Sequence, residues 1–333
     1  MRKIKIDTHL RNEANSFCDS LFSSRDSSFV LPRVKLEKLR DDIKSKHTDY
    51  KKYVQRIIDK YSEILKADPD EMNFLISEFR NDFPSVNVAE GIPYKKIKFH
   101  EAIVEAMRYE ALRGKEFLDY LKNKSYKACV YCNANSTLVV DFKYYDKKKK
   151  RDIKSRKARL ELDHFHPKSK YPFLCTSFFN LYPVCGNCNR SKSNKPVKFE
   201  LYTKSDQLDS FTFWIDDLSI IDYWNNKGTD SSRIKVCFKS TYGENDMLVN
   251  HDEVFQIQGI ADCNLDLAEE LVHKAVVYNN SYKKSLVDSF KALFPDQTLI
   301  NRLIIGNYDK PVDVHKRTMA KFTQDIAKQL GLI

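Results

Sequence analysis

The chain has 333 residues, and its 57 Lys and Arg outnumber its 46 Asp and Glu, for a formal net charge of +11 and a pI near 9.0. That length accommodates two or three domains, and the basic balance favours contact with phosphate backbones through counterion release. No apolar run approaches the length that spans a bilayer, and Met1-Arg2-Lys3-Ile4-Lys5-Ile6 lacks the apolar core of a secretory signal. Eight cysteines, four of them in metal-binding spacing, suit a reducing compartment better than a disulfide framework, so the expected location is cytoplasmic.

Residues 1–123 are expected to form a helical N-terminal region. Apolar residues recur at three- and four-residue intervals through Leu36, Leu39 and Ile43, then through Tyr53, Ile57, Tyr61, Ile64 and Leu65, until Asp68-Pro69 breaks the pattern. A second helical stretch runs to Phe83, residues 84–93 read as a loop, and 97–121 repeat the helical period through Ile103, Met107, Leu112, Phe117, Leu118 and Leu121. Such stripes pack as core by default.

Residues 124–200 change character. After Cys129-Val130-Tyr131-Cys132, residues 137–145 predict a strand, 146–159 a basic hairpin loop, and 158–164 a second strand ending in Asp163-His164. Asn180-Leu181-Tyr182-Pro183 precedes Cys185-Gly186-Asn187-Cys188, and Asn189-Arg190-Ser191-Lys192 follows it. Two Cys-x-x-Cys pairs about fifty residues apart can close one tetrahedral thiolate site, so Cys129, Cys132, Cys185 and Cys188 are read as ligands of a structural zinc ion. Zinc held by four cysteines keeps no open position, and any chemistry falls to Asp163, His164, Asn180 and Asn189 between and beside the pairs. Cys18, Cys175, Cys237 and Cys263 lack partner spacing and are expected to be small buried apolar residues.

In residues 201–333, a mixed strand and helix C-terminal domain is expected, with strands at 211–215, 233–238 and 254–258 and helices at 266–294 and 312–330. No internal repeat and no second catalytic motif stands out.

The order Cys-x-x-Cys, Asp163-His164, Asn180, Cys-x-x-Cys-Asn189 resembles the HNH, or ββα-metal, endonucleases. The resemblance implies an α+β chain: a ββα nuclease module with a four-cysteine zinc site, flanked by the helical N-terminal and mixed C-terminal regions. Asp163-His164 matches the family's Asp-His, Asn180 its central Asn, and Asn189 its last position, where the usual His is replaced. His164 is then the general base that takes a proton from water, since a neutral imidazole suits that task near neutral pH. Asp163 and Asn189 supply oxygens for a catalytic divalent ion, Mg²⁺ or Mn²⁺, which neutralises charge on the reacting phosphate. Asn180 holds the inter-strand loop and the His164 backbone in place. His166 falls on the His164 side by period-two alternation, for a role near substrate or in packing.

Lys147, Lys148, Lys149, Lys150 and Arg151 in the basic loop, with Arg190, Lys192 and Lys195 on or after the last motif, are the expected phosphate contacts to nucleic acid, double-stranded DNA above all. A narrower resemblance, to the HNH subunit of bacterial Septu-type anti-phage systems, implies an ATPase partner that gates the nuclease. The competing expectation is a zinc-stapled nucleic-acid-binding or assembly subunit without catalysis of its own.

Overall fold

Burial of the apolar stripes organises the chain. In the computed structural model, which describes residues 1–89, 97–124, 126–147, 150–289 and 297–333, buried side chains of all three sequence regions join one apolar cluster. The chain is α+β. A short strand β1 (Ile4–Lys5) leads into helices α1 (Thr8–Asp19), α2 (Pro32–Asp42), α3 (Thr48–Asp59), α4 (Tyr61–Lys66), α5 (Pro69–Asp82), α6 (Phe99–Ala106), α7 (Tyr109–Gly114) and α8 (Glu116–Lys124). Asp68 both ends the preceding stretch and starts α5: it accepts from the Glu71 amide while the Glu71 carboxylate takes the Asp68 amide, a reciprocal cap ahead of Pro69. The expected helix over 97–121 is three helices: Arg108 in a left-handed conformation at φ 62° separates α6 from α7, and the non-helical backbone of Lys115 separates α7 from α8. Within the expected 84–93 loop, residues 90–93 lie outside the described residues.

Strands β2 (Leu138–Asp146) and β3 (Arg151–Arg159) form one antiparallel hairpin, and β4 (Glu161–His164) and β5 (Leu181–Val184) form another, followed by α9 (Gly186–Lys192). The basic loop expected over 146–159 is therefore a strand with a short turn before it, and the strand expected over 158–164 breaks at Leu160 into two strands of different sheets. The reason is physical: β2 and β3 are exposed along most of their length, so no buried face imposes the alternation by which a strand is read.

Beyond the module come β6 (Tyr202–Thr203), parallel to β1, then β7 (Phe211–Ile215), α10 (Asp217–Asn225), β8 (Val236–Ser240), α11 (Asn245–Phe255), α12 (Ile257–Asp262), α13 (Leu265–Val277), α14 (Asn280–Ser289), α15 (Gln297–Ile305) and α16 (Ala320–Gln329). The expected strand at 254–258 is instead the junction of α11 and α12, turned by Gln256 at φ 51°. The strand expected at 233–238 begins only at Val236. The helix expected over 266–294 is split between α13 and α14, with 290–294 outside the described residues, and that over 312–330 starts as a 3₁₀ turn, Pro311–Lys316. Of the four unpaired cysteines, Cys18 and Cys175 are buried as expected, but Cys237 is half-buried and Cys263 exposed.

Contacts across the sequence regions hold the centre. Phe79 on α5 stacks on Phe173 at 4.1 Å, and Ser177 Oγ donates to the Ile64 carbonyl at 2.6 Å. From the other side, the His315 carbonyl accepts from the Lys127 and Ala128 amides at 2.8 and 3.1 Å. Asn133, at φ 55° after the first cysteine pair, donates to the Val314 carbonyl at 2.9 Å and accepts from the Lys321 amide at 2.9 Å. The His315 ring is buried and its Nε2 donates to the Arg2 carbonyl at 2.9 Å.

Burial pushes His315 down to about 3 from an ordinary value of 6.5. The unfolded chain binds that proton below about 6.5 and the folded chain only below about 3, so stability from this group is complete above the first value and declines as pH falls toward the second. We expect His315→Gln, which keeps a donor for Arg2 without a titrating ring, to lower the steepness of acid destabilisation by up to about 1.4 kcal/mol per pH unit. Urea unfolding of variant and wild type at several pH values between neutrality and about pH 4 measures it, and parallel slopes would show that His315 does not charge on unfolding.

Candidate metal centre and active-site cleft

The four sulfurs of Cys129, Cys132, Cys185 and Cys188 lie within 4.8 Å of one another and all four residues are buried. The first pair sits in a turn closed by the Asn133 amide on the Cys129 carbonyl at 2.8 Å; the second caps and enters α9, where the Cys188 amide donates to Cys185 Sγ at 3.5 Å. Asn135 Nδ2 also points at Cys132 Sγ, at 3.8 Å. Such N–H groups favour thiolates, and the soft donors, close spacing and burial fit a structural zinc ion.

From this knot a buried polar strut runs to the neighbouring strand. Tyr131, between the first two cysteines, donates its hydroxyl to Asp163 Oδ2 at 2.7 Å, and Lys192 Nζ lies 2.9 Å from the same oxygen and 3.1 Å from Oδ1. The same ammonium donates to the His164 carbonyl at 2.8 Å. Burial raises the Asp163 carboxyl against the pull of Lys192 and the bond from Tyr131. Lys192 has no exposed surface. Its expected phosphate contact is corrected: the ammonium is spent inside the protein, positioning Asp163 and the His164 backbone.

His164 is buried, and its Nε2 faces the Cys175 carbonyl at 3.0 Å. A carbonyl only accepts, so Nε2 carries the proton and Nδ1 keeps its lone pair. Burial foremost, with the cations of Lys168, Lys192 and Arg113, holds the ring down at about 3, against the pull of the Cys175 carbonyl. The Tyr109 ring packs against it at 4.7 Å. Asn180, buried after a 3₁₀ turn, spans the inter-strand loop: Oδ1 accepts from the His166 amide at 2.8 Å, and Nδ2 donates to the Leu174 and His166 carbonyls at 2.9 and 3.2 Å. His166 packs edge-on against Phe165 and Tyr171, with centroids 4.9 and 5.7 Å away.

A cleft of about 550 Å³ is lined by Glu161, Asp163, His164 and Asn189, with Arg113, Lys168 and Arg190 around them. Asn189 Nδ2 donates to the Glu161 carboxylate, and its Oδ1 has no protein partner among the described residues. Gly186 lets α9 approach Glu161, since a Cβ there would lie 3.1 Å from both Glu161 Oε1 and Arg190 Nη1. For a hard divalent ion the donors are suitable oxygens: the Asn189 amide, Glu161, and Asp163 Oδ1, which also accepts from Lys192. Arg190 and Lys195 are exposed, as are Lys147, Lys150 and Arg151 at the turn of the β2–β3 hairpin, away from the cleft lining; Lys148 and Lys149 lie outside the described residues.

Glu161, Arg113, Lys168, Tyr109 and Tyr131 were not singled out by sequence. Alternation places Glu161 two residues before Asp163 on the same strand, a signal that could have found it. Nothing in the local pattern marks Tyr109 and Arg113, which α7 brings from some fifty residues away. Among the described residues no helix is long and apolar enough to cross a membrane. Comparison with protein-family models, curated proteins and solved structures finds no match, so the reading of the cleft rests on its own geometry.

If the four thiols hold zinc, Cys129→Ser or Cys188→Ser should remove most of the metal and unfold the module, because metal binding contributes to its folding free energy. Elemental analysis should find about one zinc per wild-type chain. Folded wild type purified without chelators and free of zinc would contradict the assignment.

Proposed function

We propose that this chain is a metal-dependent HNH endonuclease that hydrolyses phosphodiester bonds in double-stranded DNA. The observation that carries the reading is the His164 ring, anchored through Nε2–H to the Cys175 carbonyl with Nδ1 left as a proton acceptor beside a cation-rimmed cleft. In this reading Nδ1 takes the proton of the attacking water, and the Cys175 bond keeps the tautomer that makes this possible. Held at about 3, the ring is neutral near pH 7 but weakly basic. An entering phosphate neutralises part of the Lys168 and Arg113 field and so raises its proton affinity as the substrate arrives.

Among the described residues, Lys168, whose ammonium lies 4.5 Å from the centre of the Tyr109 ring, has no carboxylate partner, and Arg190 bonds to the Asn187 amide oxygen without a carboxylate partner. These two, with Arg113, are the groups placed to orient a phosphate. Asn180 acts by position: it holds the loop that follows His164 and does not touch the reacting atoms. Asp163 and Asn189, with Glu161 alongside, would hold Mg²⁺ or Mn²⁺, which supplies Lewis-acid neutralisation of the charge that builds on phosphate and leaving oxygen. The resemblance to Septu-type subunits extends the proposal to anti-phage defence with an ATPase partner; co-purification with such a partner, and a change in cleavage on adding it, would support that extension.

His164→Ala should reduce plasmid cleavage in Mg²⁺ by at least about 10²-fold while leaving zinc content and thermal midpoint near wild type. Near wild-type cleavage would overturn the assignment of the base, and no metal-dependent cleavage by wild type, alone or with its partner, would favour a zinc-stapled binding protein. Lys168→Ala should chiefly raise KM and lower the salt dependence of binding by about one counterion. An unchanged KM with a reduced kcat would place Lys168 in the chemical step instead.

A further inference from the structure

The β2–β3 hairpin contributes nothing to the cleft lining, yet it is built as a regular ladder of nine residues on each strand, about 30 Å long. Its register assigns its faces. On one, Asp141 pairs with Arg156, Arg156 also reaches Asp119 on α8, and Lys122 of α8 lies 3.3 Å from Asp141, so this face meets the protein. The opposite face carries Val140, Phe142 and Tyr144 of β2, with Lys157 across from Val140 and Arg159 across from Leu138. These three apolar and aromatic side chains are 38%, 39% and 46% exposed, and the Phe142 and Tyr144 rings stack at 5.9 Å.

Cations lie on both faces: Lys143 and Lys154 share the face on which Arg156 is neutralised by two carboxylates, while Lys157 and Arg159, which have no carboxylate partner among the described residues, lie on the face that carries the three exposed apolar and aromatic side chains. Unpaired cations interleaved with exposed rings on one side of a two-stranded ribbon complement a polyanion that also offers stacked bases. We propose that this face enters the major groove of B-form DNA, with Lys157 and Arg159 on phosphates or guanine edges and Val140, Phe142 and Tyr144 against base edges and thymine methyls. The major groove of B-DNA, about 12 Å wide, admits a two-stranded ribbon, while the deep, narrow major groove of A-form RNA does not. The inference rests on the proposed nuclease reading and adds the surface that grips the duplex: Arg159 stands two residues before Glu161 of the cleft, so the ribbon and β4 are one continuous run of chain.

The test uses full-length His164→Ala protein without added Mg²⁺ or chelator, so that binding is read without turnover. Fluorescence anisotropy with a DNA duplex of about 20 base pairs should show that adding Lys157→Ala and Arg159→Ala weakens affinity about tenfold at moderate salt and lowers the salt slope by about two counterions. Dimethyl sulfate, which methylates guanine N7 in the major groove, should footprint the bound duplex, and that protection should vanish in the ribbon variant. The same sequence as duplex RNA should bind no better to the parent protein than to the ribbon variant. Because the side chains are exposed, folding should survive, as zinc content and circular dichroism would verify; Tyr144→Ala alone should still reduce N7 protection. Unchanged affinity and footprint in the ribbon variant, or equal loss of RNA and DNA binding, would overturn the inference. If the ribbon grips DNA but wild type never cuts, only the nuclease reading falls; if wild type cuts and the ribbon variant binds as tightly, only the ribbon inference falls.

Discussion

Four sulfurs gathered within 4.8 Å are the constraint from which the centre of this molecule is built. They join a turn that follows α8 to the start of α9, two segments separated by the whole β2–β5 stretch, and so bring Asn189 and Lys192 to bear on β4. Four buried thiols are a poor core by themselves, and a zinc ion held by them would convert them into a charged, coordinated knot and make metal binding a part of folding. The N–H groups of Asn135 and Cys188 directed at sulfur are consistent with such an arrangement.

The knot is coupled to the cleft by a second buried feature, the Tyr131–Asp163–Lys192 strut. An ion pair taken out of water gains little net stability, but removing one partner leaves an uncompensated charge and costs about 3–5 kcal/mol. Its benefit here is positional. Tyr131 ties Asp163 to the cysteine turn, and Lys192 ties Asp163 to the His164 carbonyl, so the strand carrying the imidazole is registered against the cysteine-bearing turn and helix together. Asn180 performs the corresponding task from the 3₁₀ turn just before β5, satisfying three backbone groups of the loop with a single side chain.

The cations divide between these internal duties and the surface. Lys192 is fully inside, Arg156 is consumed by Asp119 and Asp141, and Arg11 and Lys204 neutralise the buried Asp68. Lys168, Arg190, Lys157 and Arg159 have no carboxylate partner among the described residues and leave their charge at the surface. A net charge of +11 therefore says less about substrate binding than the identity of the cations that remain unpaired.

Spacing alone determined the four-cysteine site, since a Cys-x-x-Cys turn places two sulfurs together whatever surrounds it, and the strand expected over 158–164 contains β4, whereas the sequence pattern does not mark its partner β5. The helical stripes likewise read correctly as core, because periodic burial is a local property of sequence. What only the tertiary structure decided depends on burial and distant partners. Lys192 and Arg190 are both basic and two residues apart on α9, yet one points inward to Asp163 and the other to solvent. The hairpin from Leu138 to Arg159 is held by its own ladder and is exposed along most of its length, and the cleft wall formed by Tyr109 and Arg113 comes from a helix whose sequence carries no sign of what it will face. Residue type and spacing specify short-range geometry; which lone pair stays open, which charge is buried and which face remains bare are settled only when distant segments pack.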